Sequence, residues 1–155
     1  VDADHGHDQA TRRSISGIIL FVGRTPVVAI SKRQASVQSS TYGAEFLAAR
    51  VATEEILSLR YFLRSFGVKV SRAARMFGDN MSVLLNITEP DSQLKKKHLC
   101  IAYHILRENI ACHVLEPFYI PSGKNYSDFL TKALSAPLHG YTMFLYYIIV
   151  HNFDQ

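Results

Sequence analysis

Cysteine is scarce: Cys100 and Cys112 are the two in 155 residues. Their spacing fits no metal-ligand pattern and implies no disulfide framework, so the chain reads as intracellular and cytoplasmic with reduced thiols. Long apolar runs are missing too. The most apolar stretch, 141–150, is about half the length a spanning helix needs. Nothing in it resembles a leader, and the expectation is a soluble protein with no membrane partner. Neither an internal repeat nor a low-complexity tract occurs. Nor is there a strong excess of one charge, with 17 Lys+Arg against 13 Asp+Glu and a net charge of +4. The pI of about 9.1 is compatible with a polyanionic partner but does not identify one. At 48% hydrophobic and 19% charged the balance is that of a globular chain, which excludes wholesale disorder. The length suits one domain with one core.

Periodicity and punctuation divide the chain into alternating elements. Asp2-Ala3-Asp4 reads as the end of a strand whose beginning is missing. Residues 14–22 are β-rich, and Gly23-Arg24-Thr25-Pro26 turns them into a second strand at 27–31. Residues 41–66 carry a helical stripe of Ala48, Ala49, Ala52, Ile56, Leu59, Leu63 and Phe66. Ser39, Ser40 or Thr41 caps its start and Gly67 its end. A short strand at 75–79, a helical turn at 80–86, a second long helix at 92–111, a strand at 113–120 and a short helix at 126–134 follow. Residues 137–150 read as a further helix or apolar tail. The order β-β-β-α-β-α-β-α places the chain in the α/β class.

Four acidic residues stand at element ends: Asp2 in the opening strand, Glu45 in the first turn of the long helix, Asp79 ending a short apolar strand, and Asp128 opening the last helix. A buried carboxylate is unfavourable unless a cation offsets it. Four from distant segments suggest one site for hard divalent ions, which prefer oxygen ligands. Two ions roughly 4 Å apart can clamp a phosphodiester, one activating water and the other stabilising the leaving oxygen. The alternative is that these are surface acids, since 13 acidic residues place several at element ends by chance.

Local motifs decide between these readings. Asp2-Ala3-Asp4-His5 followed by Thr11-Arg12-Arg13-Ser14-Ile15-Ser16-Gly17 is one. Ser31-Lys32-Arg33-Gln34 with Ser39-Ser40-Thr41-Tyr42-Gly43-Ala44-Glu45-Phe46 is another. Gly78-Asp79-Asn80-Met81-Ser82-Val83, then Lys96-Lys97-His98 with Ala102-Tyr103-His104-Ile105-Leu106-Arg107-Glu108, and finally Asn125-Tyr126-Ser127-Asp128-Phe129-Leu130-Thr131-Lys132 complete the series. In this collinear order the chain resembles the ribonuclease H domain of copia-type retrotransposon polyproteins. The likeness runs from residue 1 to about 134, leaving 135–155 as a C-terminal helix or tail. It implies a ribonuclease H-like fold: a mixed five-stranded sheet in the order 3-2-1-4-5 flanked by helices, its first strand truncated here. It also implies hydrolysis of the RNA strand of RNA–DNA hybrids during reverse transcription, with two Mg²⁺ ions or Mn²⁺ in their place. The partners would be the hybrid and the reverse transcriptase domain of the same polyprotein, in the cytoplasm and in virus-like particles. By motif, Asp2, Glu45, Asp79 and Asp128 are the catalytic, metal-holding carboxylates, with Asp4 in support or as a substitute for Asp2. The last motif has Tyr126-Ser127 where the family has Pro-Ala, and His5-Gly6-His7-Asp8 replaces a blander turn. A decayed copy that binds nucleic acid without turnover is therefore the alternative.

Several further residues carry two readings each. Lys95, Lys96 and Lys97 with Arg107 form either a solvated face or a phosphate-contacting one. Arg12, Arg13, Ser39, Ser40, Asn80 and Lys124 are candidates for backbone or 2′-hydroxyl contacts. His104 is a surface or core histidine, or a supporting residue near the site. His5, His7 and Asp8 form a solvated turn or a transition-metal cluster. Ser122-Gly123-Lys124-Asn125 lacks the glycine spacing of a phosphate loop.

Overall fold

A computed structural model describes residues 1–94 and 96–132. The tail at 135–155, the proposed helix at 137–150 and Lys95 lie outside the described residues. Three strands, β1 (Asp2–Asp4), β2 (Ile15–Val22) and β3 (Thr25–Arg33), form an antiparallel sheet in the order β1-β2-β3. Two more, β4 (Ala74–Gly78) and β5 (Leu115–Tyr119), pair in parallel. Helices α1 (Thr41–Ser65), α2 (Met81–Thr88) and α3 (Cys100–Ala111) connect them, and a 3-10 helix (Tyr126–Leu130) follows β5. The chain is thus a mixed α/β protein. Its strands pair as a sheet of three and a sheet of two, where a single five-stranded sheet was expected. All three residues of β1 are paired with β2. Toward β4 the contact is made by Val1, whose amino group donates to the Phe77 carbonyl at 2.9 Å.

Alternation sets which face of the first sheet is apolar. Ile18 pairs with Ile30 and Leu20 with Val28, and this face meets the Phe46, Ala49, Ala52 and Ile56 stripe of α1. Met76 of β4, Leu115 of β5, Val83, Leu84 and Ile87 of α2, and Leu99, Ala102 and Leu106 complete the core. Phe46 is fully buried. Truncating such a ring to alanine costs about 3–5 kcal/mol, because both transfer and cavity terms are lost. Toward its C-terminus α1 leaves the core. Phe66, expected on the buried stripe, is 71% exposed and packs on Phe62 with ring centroids 4.8 Å apart. Pro117 is tolerated in β5 because that strand is paired with β4 on one side.

The second long helix is shorter than its periodicity suggested. Residues 92–94 and Lys96 are not helical; a 3-10 turn (Lys97–Leu99) leads into α3. Here the side chains compete with helix formation. The Ser92 hydroxyl donates to the Asn86 carbonyl, and Ser92 N–H donates to the Glu89 carbonyl. Residues after Pro90 are thereby used to close the end of α2. The last expected helix, at 126–134, is likewise a 3-10 helix as far as Leu130.

Candidate metal centre

Each carboxylate reaches the cleft by a different local device. Asp2 pairs across the sheet with Gly17 and is 2% exposed. Glu45 is 7% exposed and sits one turn into α1, not in the first turn as expected. The Ser40 hydroxyl caps that helix by accepting from Gly43 N–H at 3.3 Å. Asp79 follows β4 directly, and the Asn80 side chain caps α2 by accepting from Val83 N–H at 3.2 Å. The strand therefore ends and the helix begins around Asp79, which fixes its backbone. Asp128 lies in the middle of the 3-10 helix rather than opening a helix. That helix is capped by the Asn125 side chain, which accepts from Ser127 N–H at 3.2 Å and donates to the Val1 carbonyl at 3.0 Å.

Asp2, Glu45 and Asp79 bring oxygens within 4.8 Å of one another. Oxygens on one Mg²⁺ lie at most about 4.2 Å apart, twice the usual metal–oxygen distance. Adjacent ligands on such an ion stand about 3.0 Å apart, so the three would have to close by as much as roughly 2 Å to share one, and their all-oxygen donor set suits a hard cation. At 4.8 Å two full charges repel by about 3 kcal/mol at an effective dielectric near 20. A net hydrogen bond contributes only about 1 kcal/mol. The single bond that Ala3 N–H donates to Glu45 Oε1 at 3.2 Å therefore does not offset this repulsion. Burial, then the charges of Asp2 and Asp79, push the Glu45 carboxyl up to about 8. Burial and Asp2 push Asp128 up to about 6, against the pull of Lys132. Burial and neighbouring carboxylates thus favour the protonated forms of Glu45 and Asp128.

The open cleft has a volume of about 510 Å³, and its lining includes Asp2, Asp4, Glu45, Asp79, Asn80 and Lys132. A larger cavity of about 990 Å³ is lined by Ile18, Leu20, Ile56 and Met76 among others, and by no aspartate or glutamate. The carboxylates line the smaller one.

Of the other residues singled out by sequence, Asp4 lines the cleft and bonds His7 Nδ1 at 2.7 Å. His5 lines it too, with Nε2 2.8 Å from the Gln38 carbonyl. Asp8 instead bonds Ala10, Thr11 and Arg33. Its acceptance of Thr11 side-chain and backbone bonds, then of Arg33, holds its carboxyl well below the usual range. His5, His7 and Asp8 are thus committed to separate partners. Lys96 Nζ donates to the Ser40 hydroxyl and lies 5.5 Å over the Tyr42 ring. Ser39 and Lys97 are exposed. Arg12 is exposed in a left-handed conformation (φ 57°), its N–H bonded to the Asp8 carbonyl at 2.6 Å, and Arg13 is half-buried. Lys124 is exposed on the rim of the apolar cavity, away from the acidic cleft. His104 is exposed on α3 with its ring 5.4 Å from that of Tyr103. Arg107, grouped with the lysines as a basic face, instead donates to the carbonyls of Asn86, Glu89 and Pro90.

Two site residues were not singled out by sequence. The Thr131 hydroxyl donates to Asp2 Oδ2. Lys132 Nζ lies 3.5 Å from Asp128 Oδ1 and 4.0 Å from Asp2 Oδ2. The Asp128–Lys132 spacing of four residues was the available signal, being the separation at which opposite charges meet on a helical surface.

Among the described residues, no helix is long and apolar enough to cross a membrane. No family model and no solved structure matches the chain. It is similar to the retrovirus-related Pol polyproteins from transposons RE1 and RE2 of Arabidopsis thaliana, at 27% and 26% identity over 134 residues. It is similar also to that from transposon TNT 1-94 of Nicotiana tabacum, at 28% over 133 residues. Each match covers 86% of this chain but only 9% of RE1 and RE2 and 10% of TNT 1-94, so the chain corresponds to a small part of those relatives. With three buried or half-buried carboxylates gathered in its acidic cleft, the chain is related by sequence to the Pol polyproteins of copia-type retrotransposons.

Proposed function

We propose that this chain is a ribonuclease H-like domain that hydrolyses the RNA strand of RNA–DNA hybrids, acting beside the reverse transcriptase domain of a retrotransposon polyprotein. The observation that carries the proposal is the gathering of Asp2, Glu45 and Asp79 from three separate segments into one open cleft, with oxygens within 4.8 Å. The strand order supports it. A β1-β2-β3 sheet and a β4-β5 pair, with Val1 set against Phe77, read as two parts of one mixed sheet in the order 3-2-1-4-5.

Asp2, Glu45 and Asp79 would hold a Mg²⁺ or Mn²⁺ ion, with Asp128 adding to a second position beside Asp2. Bound divalent ions supply an activated water and neutralise charge at the scissile phosphate. The chain's own part is to fix and orient the carboxylates. Ala3 N–H aims Glu45, Thr131 aims Asp2, and the capped turn Gly78-Asp79-Asn80 aims Asp79. Asp4 with His7 and His5 with Gln38 line or flank the mouth. Ser40, which directly precedes Thr41 of the cleft lining, accepts a hydrogen bond from Lys96. Both would serve as phosphate contacts, as would the exposed Ser39, Lys97 and Arg12. Contacts of this kind position a duplex without reading its sequence.

The test is cleavage of a 5′-labelled RNA strand in a hybrid, against the same sequence as duplex DNA and duplex RNA, in Mg²⁺ and in Mn²⁺. Cleavage confined to the RNA strand of the hybrid, and abolished by EDTA, is expected. Salt-sensitive hybrid binding with no turnover in either ion would replace this reading with that of a binding remnant.

A further inference from the structure

We propose that Lys132 is a built-in cation that holds the Asp2–Asp128 side of the cleft and competes with a second divalent ion for it. The inference rests on the metal-dependent reading above. The four carboxylates do not form one even cluster. Asp2, Glu45 and Asp79 approach one another within 4.8 Å, and Asp128 is outside that group. Between Asp2 and Asp128 stands an ammonium, with Lys132 Nζ 3.5 Å from Asp128 Oδ1 and 4.0 Å from Asp2 Oδ2. Asp2 is 2% exposed and shared by both halves, facing the Glu45 and Asp79 carboxylates on one side and Lys132 on the other.

At 3.5 Å the contact with Asp128 is beyond the usual hydrogen-bond length, so charge rather than directed bonding holds it. The Lys132 side chain is 42% exposed and sits just past the 3-10 helix that carries Asp128. A flexible four-carbon stem with one end in water can swing out without unfolding anything. The Asp2-Glu45-Asp79 group therefore receives its ion directly, whereas an ion between Asp2 and Asp128 must first displace the ammonium. The two steps of metal binding are unequal for that reason, and Lys132 is a positioning residue that sets their separation.

The experiment is a Mn²⁺ titration of the whole chain by calorimetry, with free Mn²⁺ followed by electron paramagnetic resonance. Wild type is compared with Lys132→Met, Lys132→Gln and Lys132→Arg. In Lys132→Met and Lys132→Gln the second ion should bind roughly tenfold tighter, the scale of one unit charge removed from a part-solvated site, with a smaller change for the first. Lys132→Arg keeps the charge and should stay near wild type. Thermal unfolding of the metal-free Met and Gln variants should shift to lower temperature, with Mn²⁺ restoring it. A second-ion affinity that is unchanged or weaker in both neutral variants overturns the proposal, as does wild type binding two ions equally tightly. Failure of every variant to bind any Mn²⁺ overturns the metal reading itself, and this inference with it.

Discussion

Glu45 is the residue at which burial and ionisation oppose each other, its carboxyl pushed up by desolvation and two neighbouring aspartates. Burial and the neighbouring carboxylates push its carboxyl up to about 8 from an ordinary value of 4.5. The folded chain then keeps a proton that the unfolded chain has released. Stability falls as pH rises wherever the native state binds more protons. The metal-free protein should therefore lose stability as pH rises from about 4.5 to about 8 and change little further from this group above that. Asp128, pushed up to about 6, adds to the fall in the lower part of the same window. Melting temperatures at pH 5 and pH 8 without metal should show the loss, and Glu45→Gln should remove most of it. Adding Mg²⁺ at pH 8 should restore what was lost, because the ion takes the place of the proton. By the same linkage, Mg²⁺ affinity should rise between pH 6 and 8 and level off above. Calorimetry in buffers of different ionisation enthalpy would detect the released proton.

The 3-10 helix at Tyr126–Leu130 lies close against Gly17 of β2. A Cβ at Gly17 would stand 2.6 Å from the Ser127 carbonyl oxygen and 2.7 Å from Thr131 Cγ2. The first of these is backbone and cannot rotate away. Gly17→Ala should therefore push the segment carrying Asp128, Thr131 and Lys132 off the sheet, at about 1–3 kcal/mol. Chemical denaturation measures the stability loss, and Mn²⁺ titration should show the Asp2–Asp128 side weakened before the Asp2-Glu45-Asp79 side. At α2, Arg107→Met should cost about 1–3 kcal/mol, because it strips a charged donor from carbonyls of Asn86, Glu89 and Pro90. The motif around Arg107 was visible in sequence, but its job was not. Charge suggested a basic face, while the chain reversal after Pro90 put carbonyls within its reach. The same reversal drew Ser92 into closing α2 and moved the start of the following helix to Cys100. Helical periodicity reports an apolar stripe and is blind to side chains that bond backbone locally. Where caps and turns carried the signal, as at Ser40 and Gly23, sequence placed the elements to within a few residues.

For the whole molecule, the candidate site is a property of topology. Asp2, Glu45 and Asp79 are separated by 43 and 34 positions in the chain. They meet because the start of β1, the end of β4 and the early turns of α1 come together. Their identities were legible from motifs, but their distances were not. Thr131 and Lys132 escaped notice because hydroxyl and ammonium partners are set by packing. The net charge of +4 is small, so phosphate attraction has to be local. Hybrid affinity should fall with salt by a shallow slope of a few phosphates. The central claim, that one carboxylate cluster performs the reaction, is tested most directly by Asp79→Asn. This change keeps shape and removes charge from a half-buried residue whose backbone is fixed by α2. Cleavage of the RNA strand in Mg²⁺ should drop to background while circular dichroism and the melting transition remain those of a folded chain. Full hybrid cleavage by folded Asp79→Asn would contradict the account.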